Sequence, residues 1–159
     1  MKLKPGFYYQ LLQKHLDGVD ESKLLQDWKP SDYEDIIREY WIFRPLVKVA
    51  ISLNCESGER TYYVVEPFLT EEEVSLLDEI FKDLEDVLIL KDLSLNYEVK
   101  ESILTKSYME ILDEYGVVVD KELNAKYLYY IFRDFLGFGV IDPIMNDPYI
   151  EDIHCDGYG

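Results

Sequence analysis

The chain has 159 residues, 48% of them hydrophobic and 14% aromatic, with a formal net charge of −17. That apolar content excludes a disordered acidic tail. The acidity argues against binding to a nucleic acid backbone, whose phosphates require Lys and Arg, and against adsorption to an anionic membrane surface. The length suits one domain, or a domain plus the start of another. Apolar runs fall well short of the roughly 18 residues of a membrane span. The opening MKLKPGFYYQLLQKHL has neither a long apolar core nor a small-residue cleavage site. A soluble cytoplasmic protein without membrane insertion is expected.

In chain order, FYYQLLQKHLD keeps its apolar residues on one face and predicts a helix, and residues 1–16 carry Lys2, Lys4 and Lys14 but no acid. Ser31 and Glu34 have the Ser-x-x-Glu form of a capping box just after Pro30, which predicts a helix through DYEDIIREYW, stopped by Pro45. PLVKVAISLN alternates, and after a turn at Gly58 the β-branched and aromatic TYYVVEP returns, predicting a β-hairpin. A hairpin of this size needs a helix against its apolar face. The helix predicted from Thr70 supplies one: Thr70 and Glu73 form a second capping box, and Val74, Leu77, Phe81, Leu84 and Leu88 follow at steps of three and four.

Between Glu71 and Glu101 stand eleven acids against Lys82, Lys91 and Lys100. Such a block is either a solvated helix face or a surface that docks a basic partner. Glu71, Glu72, Asp83 and Asp86 are its candidate contact residues. A further helix is expected from Glu98 to Tyr115, ended by Gly116. Asp120 can cap the next, NAKYLYYIFRDFLGFG, which is apolar on most of its circumference and should be buried between packed bodies, with Arg133 and Asp134 as exceptions. Asp142-Pro143 and Asp147-Pro148 each place an Asp where it can cap and a Pro at the first helical position. A strand is expected from Ile150. The fold class is α+β: a helical plus hairpin N-terminal domain (1–118), a connecting helix and Asp-Pro linker (119–149), and the start of a further domain (150–159).

Little in the chain suggests chemistry. Cys55 and Cys155 form no Cys-x-x-Cys, and His154, Cys155 and Asp156, adjacent on a strand, would point to opposite faces. Glu66, Glu151 and Asp152 could be paired carboxylates, but nothing in the sequence places them together. No catalytic, cofactor-binding or metal-ligating residue is assigned.

The run GFGVIDPIMNDPYIEDIHCDG, with Gly137, Gly139, Ile141, Asp142, Pro143, Asp147, Pro148, Glu151, Asp152, Ile153 and Gly157, resembles the segment joining the N-terminal region to the motor in type II/type IV secretion ATPases. Tyr40-Trp41, then Val64-Val65-Glu66-Pro67, then Thr70 with Glu72 and Glu73, is similar to the archaeal, protein E-like branch. The resemblance covers residues 33–90 and 121–159. It implies that the strand from Ile150 opens a PAS-like domain, and that the parent is a homo-hexamer using ATP and magnesium to act on a membrane platform protein, with this region as an outer docking domain peripheral to the machine. The chain has no Gly-Lys dipeptide and so no phosphate-binding loop of the G-x-x-x-x-G-K-[ST] type, and no hydrolysis is expected within it. Two alternatives are the corresponding domain of an archaellum motor and a stand-alone acidic adaptor.

Overall fold

A computed structural model describes residues 6–26, 29–90 and 96–150. The order is α1 (Phe7–Gln13), β1 (Glu34–Phe43), β2 (Val47–Asn54), β3 (Arg60–Val65), α2 (Glu71–Leu90), α3 (Tyr97–Tyr115), α4 (Lys121–Phe135) and α5 (Asp142–Met145), with 3₁₀ turns at Glu21–Lys23 and Gly139–Ile141. The strands form one antiparallel sheet in the order β1-β2-β3. The α+β class read from the sequence is the class of the fold.

The segment expected to be a helix at 31–41 is instead β1, so the hairpin is two-thirds of a three-stranded meander. The capping signal is real as a local contact, for Ser31 Oγ donates to Glu34 Oε1 at 2.8 Å. The same carboxylate also accepts from Ser52 on β2 and Tyr63 on β3, so it ties strands together rather than starting a helix. Register shifts between Ile36 and Arg38 and between Trp41 and Phe43 interrupt the two-residue alternation, which is why the strand period is hard to see.

The helices start and stop where local chemistry dictates. Thr70 and Glu73 satisfy each other's backbone amides at 2.9 and 3.2 Å, the reciprocal capping box. Asn96 and Asp120 accept from Val99 N and Leu123 N and cap α3 and α4. Gly116 ends α3 at φ 66°, a left-handed conformation open to glycine without a Cβ penalty. On α2 the buried stripe is Leu77, Ile80, Leu84 and Leu88, while Val74 is exposed.

These elements share one core. Tyr8 and Leu12 of α1, Leu46 and Val47 at the β1–β2 turn, the α2 stripe, and Leu104, Tyr108, Ile111 and Leu112 of α3 surround Ala125, Tyr127, Leu128, Tyr129, Ile131 and Phe132 of α4. As its sequence predicts, α4 is nearly enclosed, and its polar side chains need partners at depth. The connector between β3 and α2, with the first turn of α2, provides them. Lys126 Nζ donates to Phe68 O at 2.8 Å, Tyr127 Oη to Glu73 O at 2.7 Å, Tyr130 Oη to Pro67 O at 2.5 Å, and Tyr129 Oη to Glu66 Oε2 at 2.5 Å. Arg133 completes the set, with Nη1 on Glu66 Oε2 at 3.0 Å and Nε on Asp134 Oδ1 at 2.8 Å. Burial works against its charge, but the Asp134 and Glu66 carboxylates hold its pKa above the ordinary arginine value. The VVEP motif is therefore a strap gripped by α4.

Arg133→Met should cost about 2 kcal/mol, between the values for exposed and for buried pairs. Glu66 would keep only the Tyr129 donor. Urea denaturation should show a lower midpoint with an unchanged slope.

Candidate functional site

The segment carrying the family resemblance, Gly137 to Pro148, packs against α1, the C-terminal end of α4 and the sheet. Gly137 follows α4 at a point with no room for a side chain. A Cβ there would lie 2.3 Å from Asp142 Oδ1, 2.8 Å from the Tyr8 ring and 2.9 Å from Arg133 O. This approach brings the Phe138 amide onto Asp142 Oδ1 at 2.8 Å. Asp142 is only 1% exposed. Its carboxylate also accepts from the Tyr8 hydroxyl and from Asn146 Nδ2, the latter at 2.8 Å. Asp142 thus does not cap α5 as expected: it is the first residue of that helix, and its side chain turns back to the amide four residues earlier. The pull comes from Tyr8 and Asn146, which offer buried donors.

Asp147, 4% exposed, is held in a similar way. It accepts from the hydroxyls of Tyr40 on β1 and Tyr62 on β3, the latter at 2.5 Å, and its Oδ1 accepts from Tyr149 N at 2.8 Å in a local turn. Tyr149 lies edge-on to Tyr40 with ring centroids 4.7 Å apart, and the Arg38 guanidinium sits 4.1 Å from the Tyr149 ring. The two Asp-Pro steps therefore anchor the segment twice, once to α1 and once to the sheet.

Burial changes the acids and phenols involved. Desolvation holds Asp142 above the usual carboxylate range, although the Tyr8 and Phe138 contacts favour its charged form. Burial and the Asp147 hydrogen bond push Tyr40 up to about 12, and Tyr8 and Tyr62 are raised for the same two kinds of reason. All three phenols are neutral donors at physiological pH.

The remaining predicted residues are scattered. Gly139 has φ 68° in a 3₁₀ turn, Pro143 is buried, and Ile141 and Pro148 are exposed. Glu151, Asp152, Ile153 and Gly157, with the strand expected from Ile150, lie outside the described residues, as do His154, Cys155 and Asp156. On α2, Glu71, Glu72 and Asp86 are exposed, but Asp83 is half-buried and accepts from Tyr115 of α3. That contact gives Asp83 a role in joining two helices. Glu66 pairs with Arg133 and accepts from Tyr129, while Glu151 and Asp152, its possible partners as paired carboxylates, lie outside the described residues. Sequence reading missed Tyr8, Tyr40 and Tyr62 as partners of the Asp-Pro acids. The available signal was a high tyrosine count, 14 in 159 residues, with far more acids than cations to receive. Among the described residues no three His, Cys, Asp or Glu side chains converge as a metal site, and no helix is long and apolar enough to cross a membrane.

Gly137→Ala should destabilise the fold by about 1–3 kcal/mol, the range for forced overpacking, as read by chemical denaturation. Asp142 supplies a pH test. The folded chain binds its proton more tightly than the unfolded chain, so this group adds stability as pH falls through its folded pKa towards about 3.9. The stability of the wild type relative to Asp142→Asn should rise between about pH 7 and about pH 4. A difference that stays flat across that window would mean that Asp142 titrates normally.

No family model matches the chain. It is 29% identical over 114 residues to the uncharacterized protein MJ1288 of Methanocaldococcus jannaschii, an alignment spanning 72% of this chain and 45% of that protein. It is also 30% identical over 115 residues to the uncharacterized protein MJ0900 of the same organism, spanning 60% of this chain and 21% of that protein. The chain thus spans less than half the length of either relative.

Proposed function

We propose that the chain is the N-terminal docking and regulatory domain of a hexameric secretion or pilus-assembly ATPase of the archaeal, protein E-like type. On this reading the domain hydrolyses nothing. ATP and magnesium belong to the motor of the parent, and the domain sits at the cytoplasmic side of a membrane platform protein and passes motor movement to its partners. The observation that carries the reading is the double anchorage of the Asp-Pro segment. The stretch that resembles the family's connection to its motor is fixed to α1 through Asp142 and to the sheet through Asp147. A displacement of whatever follows would be transmitted to the body of the domain rather than absorbed by a flexible joint. The matched archaeal relatives are more than twice as long as their matched parts, which fits a domain that forms part of a longer protein.

The deciding experiment is an immunoblot of source cells with an antibody against this chain. The proposal expects a band much larger than 18.8 kDa. A band at that mass would overturn it in favour of a stand-alone acidic adaptor.

A further inference from the structure

A cleft of about 550 Å³ lies between the end of β3 with its connector, the first half of α2, and the last turn of α4. Its volume is within the range of about 300–1,000 Å³ seen for binding pockets. Val64, Leu77 and Phe81 contribute its apolar surface. At its rim two large apolar side chains remain in water, Phe68 at 44% and Val74 at 42% exposure. Neither side chain belongs to the core cluster of the described residues, and the Phe68 backbone is held by other groups, its carbonyl by Lys126 and its amide by Leu24 O.

The polar groups of the cleft narrow the choice of occupant. Arg133 is already committed to Glu66 and Asp134, so an acidic ligand would have to compete with two carboxylates. Asp78 adds a third, exposed acid to the lining. Three carboxylates against one guanidinium leave the cleft negative, on a chain of net charge −17. Among the described residues, the buried side-chain atoms without a hydrogen-bond partner belong to Tyr9, His15 and Asn146, none of which lines the cleft. The polar side chains that line the cleft besides Arg133 and Tyr130 are Gln26 and the three carboxylates, so a ligand bringing positive charge is favoured over an anionic one. Apolar anchors with positive charge beside them are what remains.

The geometry points to a docking site for a basic amphipathic peptide segment of a partner protein, its apolar side chains between Phe68, Val74 and Phe81 and its Lys or Arg side chains against Asp78, Asp134 and Glu66. This is the helix-in-groove mode of recognition, with charge complementarity setting encounter rate and orientation. The inference rests on the docking role proposed above and names its site and partner class. It can fail alone, since the mass of the protein in cells is read independently of this cleft.

The test uses dye-labelled synthetic peptides, one an amphipathic leucine/lysine helix and the other its leucine/glutamate counterpart, titrated with the protein and followed by fluorescence anisotropy. The lysine peptide should bind at least about tenfold tighter. Phe68→Ser and Asp78→Lys, both changes at exposed side chains, should each weaken it by about fivefold or more, with circular dichroism unchanged. Glu98→Lys, on α3 and away from the cleft, should leave it unaltered. Equal binding of both peptides would overturn the inference, as would equal weakening by Glu98→Lys and Asp78→Lys, which marks diffuse attraction by net charge. A protein dimer in sedimentation that Phe68→Ser dissociates would overturn it too, because the occupant would then be a second copy of the chain.

Discussion

The fold depends on the demand made by burying α4. A helix enclosed on most sides must leave none of its polar side chains without a partner, since an unpaired buried donor costs about 1–3 kcal/mol. Lys126, Tyr127, Tyr129, Tyr130 and Arg133 all reach toward one stretch of chain, residues 66–73. That stretch must lie along α4, and its placement fixes where β3 ends and where α2 begins. The sheet, α2 and the connector are thus oriented by acceptors that α4 requires, while the apolar stripes of α2 and α3 fill the space so defined. The apolar contacts provide the driving force, and the polar ones choose the arrangement.

Tyrosine is the means by which this acidic chain satisfies its carboxylates. The 33 acids outnumber the 16 Lys and Arg residues, and while buried Glu101 takes Lys14, buried Asp142 and Asp147 take hydroxyl donors instead. Phenols take that role: Tyr8 for Asp142, Tyr40 and Tyr62 for Asp147, Tyr63 for Glu34, Tyr115 for Asp83 and Tyr129 for Glu66. A phenol donates a hydrogen bond without bringing a charge to be desolvated, and its ring contributes apolar area at the same time. The contact is insensitive to pH until the phenol or the acid titrates, and burial has moved both Tyr8 and Asp142 upward.

Helix boundaries were legible because they depend on neighbours in sequence. Thr70 with Glu73, Asp120 before α4 and Gly116 after α3 all act within a few residues of where they stand. The nature of β1 was not legible, because its Ser31–Glu34 signal is shared by helix starts and turns and its bulges erase the strand period. What decides the matter is pairing with β2, whose partners stand from 4 (Phe43 with Val47) to 20 residues away (Glu34 with Asn54), a register that the signals within β1 do not contain. The importance of Asp142 and Asp147 could be read from the Asp-Pro pattern, yet their role could not. Capping is the local use of such a residue, whereas the phenols that hold these two come from positions 8, 40 and 62. Phe68 and Val74 were hidden for the opposite reason, since in sequence they look like core residues and only the finished fold leaves them in water.

The two bulges of β1 have a consequence for the molecule among its own kind. This ten-residue strand lies at the edge of the sheet, with Ile36, Ile37 and Trp41 exposed, and a flat edge of that length would be a template on which another chain could grow the sheet. The register shifts break the row of evenly spaced amides and carbonyls that such growth requires. Asp35, Arg38 and Glu39, all exposed on the same strand, place charge in the path of an approaching strand. Among the described residues the sheet ends at β1 on this side, where the shifts and the charges both oppose edge-to-edge pairing with another copy.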